Sequence, residues 1–246
     1  MIPMDNLNRF VVGILGGMGS YSTLHFFREI LDAFDVDKEW ERPRVVIDNH
    51  CTLPSRTRAI LYGERRDELV AGMTASIEGL LRYDPHVICM PCNTAHCFLP
   101  EVRQRLGGRD DRVLDMIDLV AAQCEDQGVR RVFLLATEGT IATGVYDDYF
   151  GRRGMEVVAA DERQQREIRQ YIEQVKQKRG LDPAGFASFI DGLGASPVIL
   201  GCTELSVLYD GSARATVLDP IATVVGRIRL LSDELNSSMS PRRPSR

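Results

Sequence analysis

The stretch HVICMPCNTAH, residues 86–96, joins a short apolar run to a cysteine that is followed at once by asparagine and threonine. The run HVICM (86–90) is typical of a buried strand, and the residues after it predict a helix from Thr94 to Leu106. A similar stretch, PVILGCTEL, occupies residues 197–205, with Cys202 in the place of Cys92. The chain therefore contains two buried strands that each lead into a cysteine at the start of a helix.

Outward from these two stretches, short apolar runs alternate with helical patterns. Further strands are predicted at 10–15, 44–48, 131–136, 155–159 and 216–218, and helices at 22–34, 63–83, 116–127, 144–150, 161–179, 186–193 and 221–235. Strands that alternate with helices predict an α/β fold with parallel sheets flanked by helices.

The order of features recurs along the chain. FVVGILGGMG resembles RVFLLATEG, 120 residues later counting Leu15 to Leu135, and VICMPCNT resembles VILGCTE, 110 residues later counting Cys92 to Cys202. Chance similarity is one explanation, because buried parallel strands resemble one another. A glycine-rich turn followed by a cysteine turn recurs in both halves, which favours a duplicated half.

Composition restricts the partners and the compartment. The 246-residue chain is 44% hydrophobic and 26% charged, with a net charge of −5, which argues against binding to nucleic acid or to an anionic membrane surface. No apolar run approaches the roughly 18 residues that span a bilayer. The N-terminus, MIPMDNLNRF, lacks the features of a signal peptide, so we expect a cytoplasmic protein with six free thiols.

The two cysteines suggest acid/base chemistry. Functional groups of a parallel sheet gather at the carboxyl ends of its strands, and a helix N-terminus there favours thiolate over thiol. For one such cysteine a structural and a functional role are equally good explanations, but two at equivalent positions favour function. One thiolate can remove a proton from a carbon acid while the opposite thiol returns one to the other face, as stereoinversion requires.

Two other stretches could contact a substrate. Gly16-Gly17-Met18-Gly19-Ser20 offers backbone N–H groups, but it lacks the spacing of a phosphate-binding or dinucleotide-binding loop, and a tight turn explains it equally well. Arg56, in the Pro-led turn NHCTLPSRTRAIL (49–61), could bind a carboxylate, although a solvated loop arginine is the commoner case.

Neither a cofactor nor a metal is predicted. The three lysines, Lys38, Lys176 and Lys178, lie in polar stretches, which argues against a pyridoxal phosphate enzyme. Four residues of the types that bind zinc lie close together in sequence, but no second pair follows at the spacing of a zinc site. These four residues are Cys89, Cys92, His96 and Cys97. A redox pair of Cys89 and Cys92 is disfavoured, because Cys89 would point into the sheet.

Taken together, the motifs resemble the cofactor-independent aspartate/glutamate racemase family. The matching pieces span nearly the whole chain except the tail: GILGGMG (13–19), LPSRT (53–57), PCNTAH (91–96), LLATEGT (134–140) and LGCTEL (200–205). PCNTAH followed by GCTE in that order and at that separation is the specific part of this resemblance.

The resemblance implies two pseudo-symmetric α/β domains, an active site in the cleft between them, and a homodimer. We expect the first domain at 1–114, completed by a C-terminal helix at 219–235, the second at 115–218, and a disordered tail at 236–246. The resemblance also implies that Cys92 and Cys202 are the two acid/base residues and that Arg56 binds a carboxylate. It places Lys176 at the second carboxylate of an acidic substrate and further residues around the amino acid: Met18, Asn93, Thr94, Thr137, Thr203 and Glu204.

These observations predict a racemase that interconverts L- and D-aspartate, with glutamate as a second candidate substrate, by transferring protons through two cysteines. Two other functions are compatible with the sequence. One is a dicarboxylate isomerase or decarboxylase that uses a single cysteine, and the other is an acidic amino-acid-binding protein without turnover.

Overall fold

The computed structural model describes residues 7–109, 111–195 and 197–239, and it contains two parallel β-sheets. In the first sheet β1 (Val11–Gly16) lies between β2 (Arg44–Asn49) and β3 (Val87–Cys89). The helices of this half are α1 (Ser20–Ala33), α2 (Arg56–Tyr62), α3 (Arg66–Leu81) and α4 (Leu99–Leu106), with a 3-10 helix at Asn93–Phe98.

The second sheet repeats this order with one strand more. Here β4 (Arg131–Ala136) lies between β5 (Glu156–Ala159) and β6 (Val198–Gly201), and β7 (Val217–Leu218) extends the edge. In both halves the first strand is therefore central and the third strand carries the cysteine turn. The structure confirms the predicted fold class, and the equivalent strand order supports the duplicated half.

Helices cover both faces of the second sheet. They are α5 (Met116–Asp126), α6 (Glu138–Thr143), α7 (Val145–Gly151), α8 (Glu162–Gln177), α9 (Pro183–Gly192) and α10 (Thr203–Leu208). One apolar cluster combines α5, α7 and the sheet, including Ile117, Tyr146 and Phe150, and another combines α8, α9 and the opposite face, including Ile172 and Phe186. Apolar burial on both faces is what a parallel sheet requires.

The last helix, α11 (Pro220–Met239), contributes its apolar residues to the buried cluster of the first sheet. Ile221, Val224 and Ile228 share a buried cluster with Val12 and Phe26 of the first half. This packing supports the proposal that a C-terminal helix completes the first domain, while the domain limits themselves stay a prediction.

The C-terminal helix is longer than the predicted range of 219–235, since α11 continues to Met239, and the disordered tail stays a prediction. Asn236 extends the helix by donating from Nδ2 to Asn8 Oδ1 at 3.2 Å and to Ser232 Oγ at 3.3 Å. Residues 240–246, where the rest of the expected tail falls, lie outside the described residues.

Two short helices differ from the sequence-based expectation. The sequence predicts a turn after Pro54, yet α2 begins at Arg56, with the Ser55 hydroxyl accepting a hydrogen bond from Arg58 N at 3.3 Å. Similarly, α6 begins after Thr137, whose hydroxyl accepts from Thr140 N at 3.1 Å. With 7 and 6 residues, these helices are too short for their hydrophobic periodicity to be recognised.

Among the described residues, no helix is long and apolar enough to cross a membrane.

The turn after β1 depends on a glycine. Gly17 has φ of +81°, and a Cβ there would lie 2.4 Å from the backbone carbon of His50 and 2.5 Å from Cys51 N. Close approach of two backbone segments and a left-handed conformation both require glycine. The turn at Gly17 is therefore packed against the residues that follow β2, and the next residue in the chain is Met18.

We therefore expect Gly17→Ala to lower the free energy of unfolding by about 3 kcal/mol or more, because backbone strain and a steric clash add. Gly63→Ala is the matched control: Gly63 also has positive φ, at +70°, but a Cβ added there would have no atom within 4 Å. It should lose only about 1 kcal/mol. If urea unfolding shows equal losses of unfolding free energy for the two variants, the close approach to His50 does not contribute to the effect of Gly17→Ala.

Candidate active site

All ten residues predicted for the site line one cavity of about 80 Å³ at the junction of the two halves. Cys92, which follows β3, and Cys202, which follows β6, are exposed by only 7% and 6%. The complete lining is Met18, Ser55, Arg56, Thr57, Cys92, Asn93, Thr94, Thr137, Lys176, Cys202, Thr203 and Glu204. The roles assigned to these residues are taken up below as proposals.

The two cysteine turns lie side by side. Thr203, directly after Cys202, donates from its hydroxyl to the carbonyl of Pro91, directly before Cys92, at 3.2 Å. This hydrogen bond joins residues 112 positions apart in the chain. It places the ends of β3 and β6 next to each other across the junction of the two sheets.

Three hydroxyls form a second link between the halves. Thr94 Oγ1 lies 2.7 Å from Thr140 Oγ1 and 3.2 Å from Thr137 Oγ1, and these last two are 3.1 Å apart. Thr94 belongs to the first half, whereas Thr137 and Thr140 lie at the start of α6. The cluster fixes the wall of the cavity between Cys92 and β4.

His96 holds the backbone of Cys92 from behind. Its Nε2 accepts a hydrogen bond from Met116 N at 3.1 Å, so Nδ1 carries the proton and donates to the Cys92 carbonyl at 3.0 Å. Burial is the largest cause that lowers the pKa of His96, which keeps the ring neutral. His96 therefore ties the first cysteine turn to the start of α5 and is turned away from the cavity lining.

Arg56 is held at the edge of the cavity by backbone carbonyls. Its Nη2 donates to Met18 O at 2.6 Å and its Nη1 to Pro54 O at 3.3 Å, while the buried Nε has no partner within the described part of the chain. Burial raises the pKa of Cys92, and the charge of Arg56 is the largest cause that opposes this rise. The guanidinium is thus close enough to stabilise both a thiolate and a bound anion.

Cys202 has an acidic neighbour instead. Its Sγ donates to Glu204 Oε2 at 3.0 Å. The other oxygen of that carboxylate lies against Gly19, where an added Cβ would be 2.6 Å from Oε1, so a side chain at this position would displace the carboxylate. Burial, followed by the charge of Glu204 and this hydrogen bond, raises the pKa of Cys202 well above its ordinary value.

The helix N-termini favour the thiolates as expected, but another effect outweighs them. Both cysteines are N-caps of short helices, and backbone N–H groups of Ala95 and Glu204 do lower their pKa values. Burial of both cysteines outweighs these contributions, because desolvation penalises the charged form. The surroundings of both cysteines therefore favour the thiol form.

Lys176, near the end of α8, reaches the cavity although its helix is polar. Its side chain is 47% exposed, and Nζ donates to Glu173 Oε1 at 3.1 Å. Burial works to lower its pKa, but the hydrogen bond to Glu173 and the charges of Glu204 and Cys202 raise it overall. A permanently protonated lysine can bind a carboxylate but is a poor Schiff-base nucleophile.

Several residues near the site were not predicted. Ser55 and Thr57 line the cavity, and they flank Arg56 in the LPSRT stretch, which was the available signal. Thr140 and Tyr146 support the lining from α6 and α7, and no feature of the sequence relates them to residues about 50 positions earlier. Over the described ranges, no group of His, Cys, Asp and Glu is placed to hold a metal ion.

Comparison with known proteins identifies the family. The family model for Asp/Glu/hydantoin racemases matches residues 15–228. The chain is 25% identical over 210 residues to the broad-specificity amino-acid racemase RacX of Bacillus subtilis (strain 168). The aligned region covers 81% of this chain and 88% of RacX.

Solved structures show the same fold. Aspartate racemase from Picrophilus torridus superimposes with a TM-score of 0.79 at 24% identity, covering 91% of this chain and 94% of that one. An aspartate racemase homologue from Pyrococcus horikoshii OT3 gives a TM-score of 0.70 at 22% identity, covering 92% and 100%. The chain belongs to the Asp/Glu/hydantoin racemase family, which confirms the resemblance identified from the motifs.

Proposed function

We propose that this chain is a racemase that interconverts L- and D-aspartate, and to a lesser extent glutamate, by proton transfer between Cys92, Cys202 and the Cα atom. The observation that carries this proposal is that two buried cysteines, each at the carboxyl end of an equivalent strand, line one small cavity. A single base tends to return a proton to the face from which it came, whereas two sulfurs on opposite sides allow inversion.

The ammonium group of the bound amino acid adds positive charge close to the two thiols. This group adds to the positive charges of Arg56 and Lys176, which line the same cavity, and a positive charge lowers the pKa of a nearby thiol. Cys92 is the easier of the two to ionise, because Arg56 already opposes the effect of burial. Cys202 instead has Glu204 at 3.0 Å as an acceptor for its proton.

The proton balance of the reaction is simple. The thiolate takes the Cα proton and becomes a thiol, and the opposite thiol delivers its proton to the other face and becomes a thiolate. The sulfurs have then exchanged roles, and proton exchange through Glu204 on the Cys202 side restores the starting state. Which cysteine acts on which enantiomer is left to experiment.

The negative charge that develops on the α-carboxylate when Cα loses its proton needs stabilisation. Donors that are already in place are effective in a site that excludes water, because they need no reorganisation during the reaction. Arg56 Nε and Asn93 Nδ2 are buried and have no partner among the described residues, and both residues line the cavity. They are the donors that we assign to the α-carboxylate.

Preference for an acidic amino acid is supported by the second cation. Lys176 is protonated and lies in the wall of the cavity, so it can bind a side-chain carboxylate by exchanging Glu173 for the substrate. Independence from pyridoxal phosphate and assembly as a homodimer stay predictions. The relative RacX carries the name of a broad-specificity enzyme, so the substrate test must include neutral and basic amino acids.

The experiment is incubation of each aspartate enantiomer in D₂O, followed by chiral chromatography and mass spectrometry. We expect deuterium at Cα of the product enantiomer while the recovered substrate is still unlabelled, because the delivering thiol has exchanged with solvent. The same assay with glutamate, alanine and lysine should show slower or no conversion.

Other outcomes would contradict the proposal. Early deuterium in the recovered substrate without inversion would indicate a single base. A rise in melting temperature with aspartate but no exchange would indicate a binding protein. Release of CO₂ from a dicarboxylate, without inversion of any amino acid, would indicate a decarboxylase.

A further inference from the structure

Tyr146 is a fully buried residue of α7 that contacts the cavity wall from the second half of the chain. Its phenol donates to Asn93 Oδ1 at 2.7 Å, and Asn93 is the residue directly after Cys92. The hydrogen bond is buried and joins positions 53 residues apart. It therefore connects the first cysteine turn to α7, a helix whose residues do not themselves line the cavity.

This contact determines which way the Asn93 amide faces. When Oδ1 accepts from the phenol, Nδ2 is the branch left for other partners. Asn93 is only 1% exposed and lines the cavity, and its buried Nδ2 has no hydrogen-bond partner in the part of the chain that the structure describes. A buried donor without a partner is costly, and an acceptor that enters the cavity removes this cost.

We propose that Tyr146 is a positioning residue that locks the Asn93 amide with Nδ2 toward the cavity, where it donates to the carboxylate of the bound amino acid. This inference rests on the proposed function, because it assumes that the ligand brings a carboxylate. Without the phenol, the amide can rotate by half a turn and present its oxygen to that carboxylate, which would repel it.

The surroundings of Tyr146 suit a permanent donor. Burial is the largest cause that raises its pKa well above the ordinary value, and the charges of Asp219 and Cys202 add to the rise, so the phenol keeps its proton. The ring packs in the apolar cluster of the second half, with the ring of Phe150 at 5.8 Å between centroids. Phenylalanine would keep this packing and remove only the hydroxyl.

The test is Tyr146→Phe, with Tyr149→Phe as the matched control. Tyr149 lies on the same helix, and its phenol donates to Asp115 Oδ2 at 2.5 Å, away from the cavity lining. For Tyr146→Phe we expect kcat/KM for aspartate to fall by about 10-fold to 100-fold, the range for losing a hydrogen bond to a charged group. We expect Tyr149→Phe to keep wild-type kinetics.

A double-mutant cycle separates positioning from general destabilisation. Asn93→Ala should cause at least the same loss, and adding Tyr146→Phe to it should cause no further loss, because the phenol acts only through Asn93. Independent, multiplying losses would overturn the inference. Asn93→Asp keeps an acceptor for the phenol but removes the N–H donor, so retained activity in this variant would overturn it as well, even if Tyr146→Phe does not fold.

Failure of this inference differs from failure of the proposed function. An active wild-type racemase with an equally active Tyr146→Phe variant would contradict only the role of Tyr146. A wild-type protein that neither inverts nor exchanges any amino acid would contradict the function itself. In that case calorimetric binding of aspartate to wild type and to Tyr146→Phe decides the inference: equal affinities overturn it, and weaker binding by the variant supports it.

Discussion

Replacing Cys92 or Cys202 by serine is expected to lower aspartate racemisation by about 10³-fold or more, near the upper range for loss of a general acid or base. Serine keeps the size of the side chain, but its hydroxyl ionises far less readily than a thiol, so one face of Cα loses its base. Chiral chromatography of each variant with L- and with D-aspartate measures the loss.

Each serine variant should also retain half of the chemistry. The remaining cysteine can still remove the Cα proton from the enantiomer that faces it, so in D₂O that enantiomer should acquire deuterium without inversion. The opposite enantiomer should stay unlabelled. If the two variants label opposite enantiomers, the result assigns each sulfur to one face, and complete loss of exchange from both enantiomers in both variants would contradict separate roles.

Cys89→Ser and Cys124→Ser are the matched controls for these variants. Both residues are fully buried thiols in apolar clusters and neither lines the cavity, and burial raises the pKa of Cys124 to about 11. A buried serine lowers stability, by about 1–3 kcal/mol, so the melting temperature should fall. Activity per folded molecule should persist, and equal inactivation of all four variants would indicate damage to the fold.

Much of the fold could be predicted because parallel sheets have a strong signature in sequence. Both sheets, the repeated strand order and the position of each cysteine turn follow from apolar runs that alternate with helical patterns. Local propensity was insufficient where helices were shorter than two turns, as in α2 and α6. It was also insufficient at the C-terminus, where the Asn8 side chain extends a polar helix end.

The site was predictable in part for a different reason. The sheet determines where the residues that follow its strands lie, so the proximity of Cys92 and Cys202 could be predicted from their positions in the sequence. The same rule suggested thiolates, but it left out the burial of the two cysteines, which raises the pKa of both thiols. Tyr146 was missed because a contact between distant helices leaves no local pattern.

The second large effect is expected at Arg56. Replacing Arg56 by glutamine removes a guanidinium charge whose Nη2 donates to Met18 O at 2.6 Å. It also removes the buried Nε donor, which has no hydrogen-bond partner among the described residues. A lost donor to developing negative charge costs about 10²-fold to 10³-fold in rate. We therefore expect kcat/KM for aspartate to fall by this factor at neutral pH.

The pH profile separates the two contributions of Arg56. Its positive charge lowers the pKa of Cys92 against the effect of burial, so removing the charge should raise that pKa. The limb of kcat/KM that rises with pH should then move to more alkaline pH in Arg56→Gln, and part of the lost activity should return as the pH increases. A uniform loss at every pH would mean that Arg56 acts on the substrate carboxylate alone.

Arg58→Gln is the control for charge and for the helix, because Arg58 lies two residues further along the same short helix. Its guanidinium pairs with Glu64 at 2.6 Å, its side chain is 60% exposed, and it does not line the cavity. Exposed ion pairs of this kind contribute little to stability. Arg58→Gln should therefore keep both the rate and the pH profile of the wild type. A shifted pH profile in this variant would contradict the proposal, because it would show that long-range charge, and not Arg56 beside Cys92, sets the pKa of the thiol.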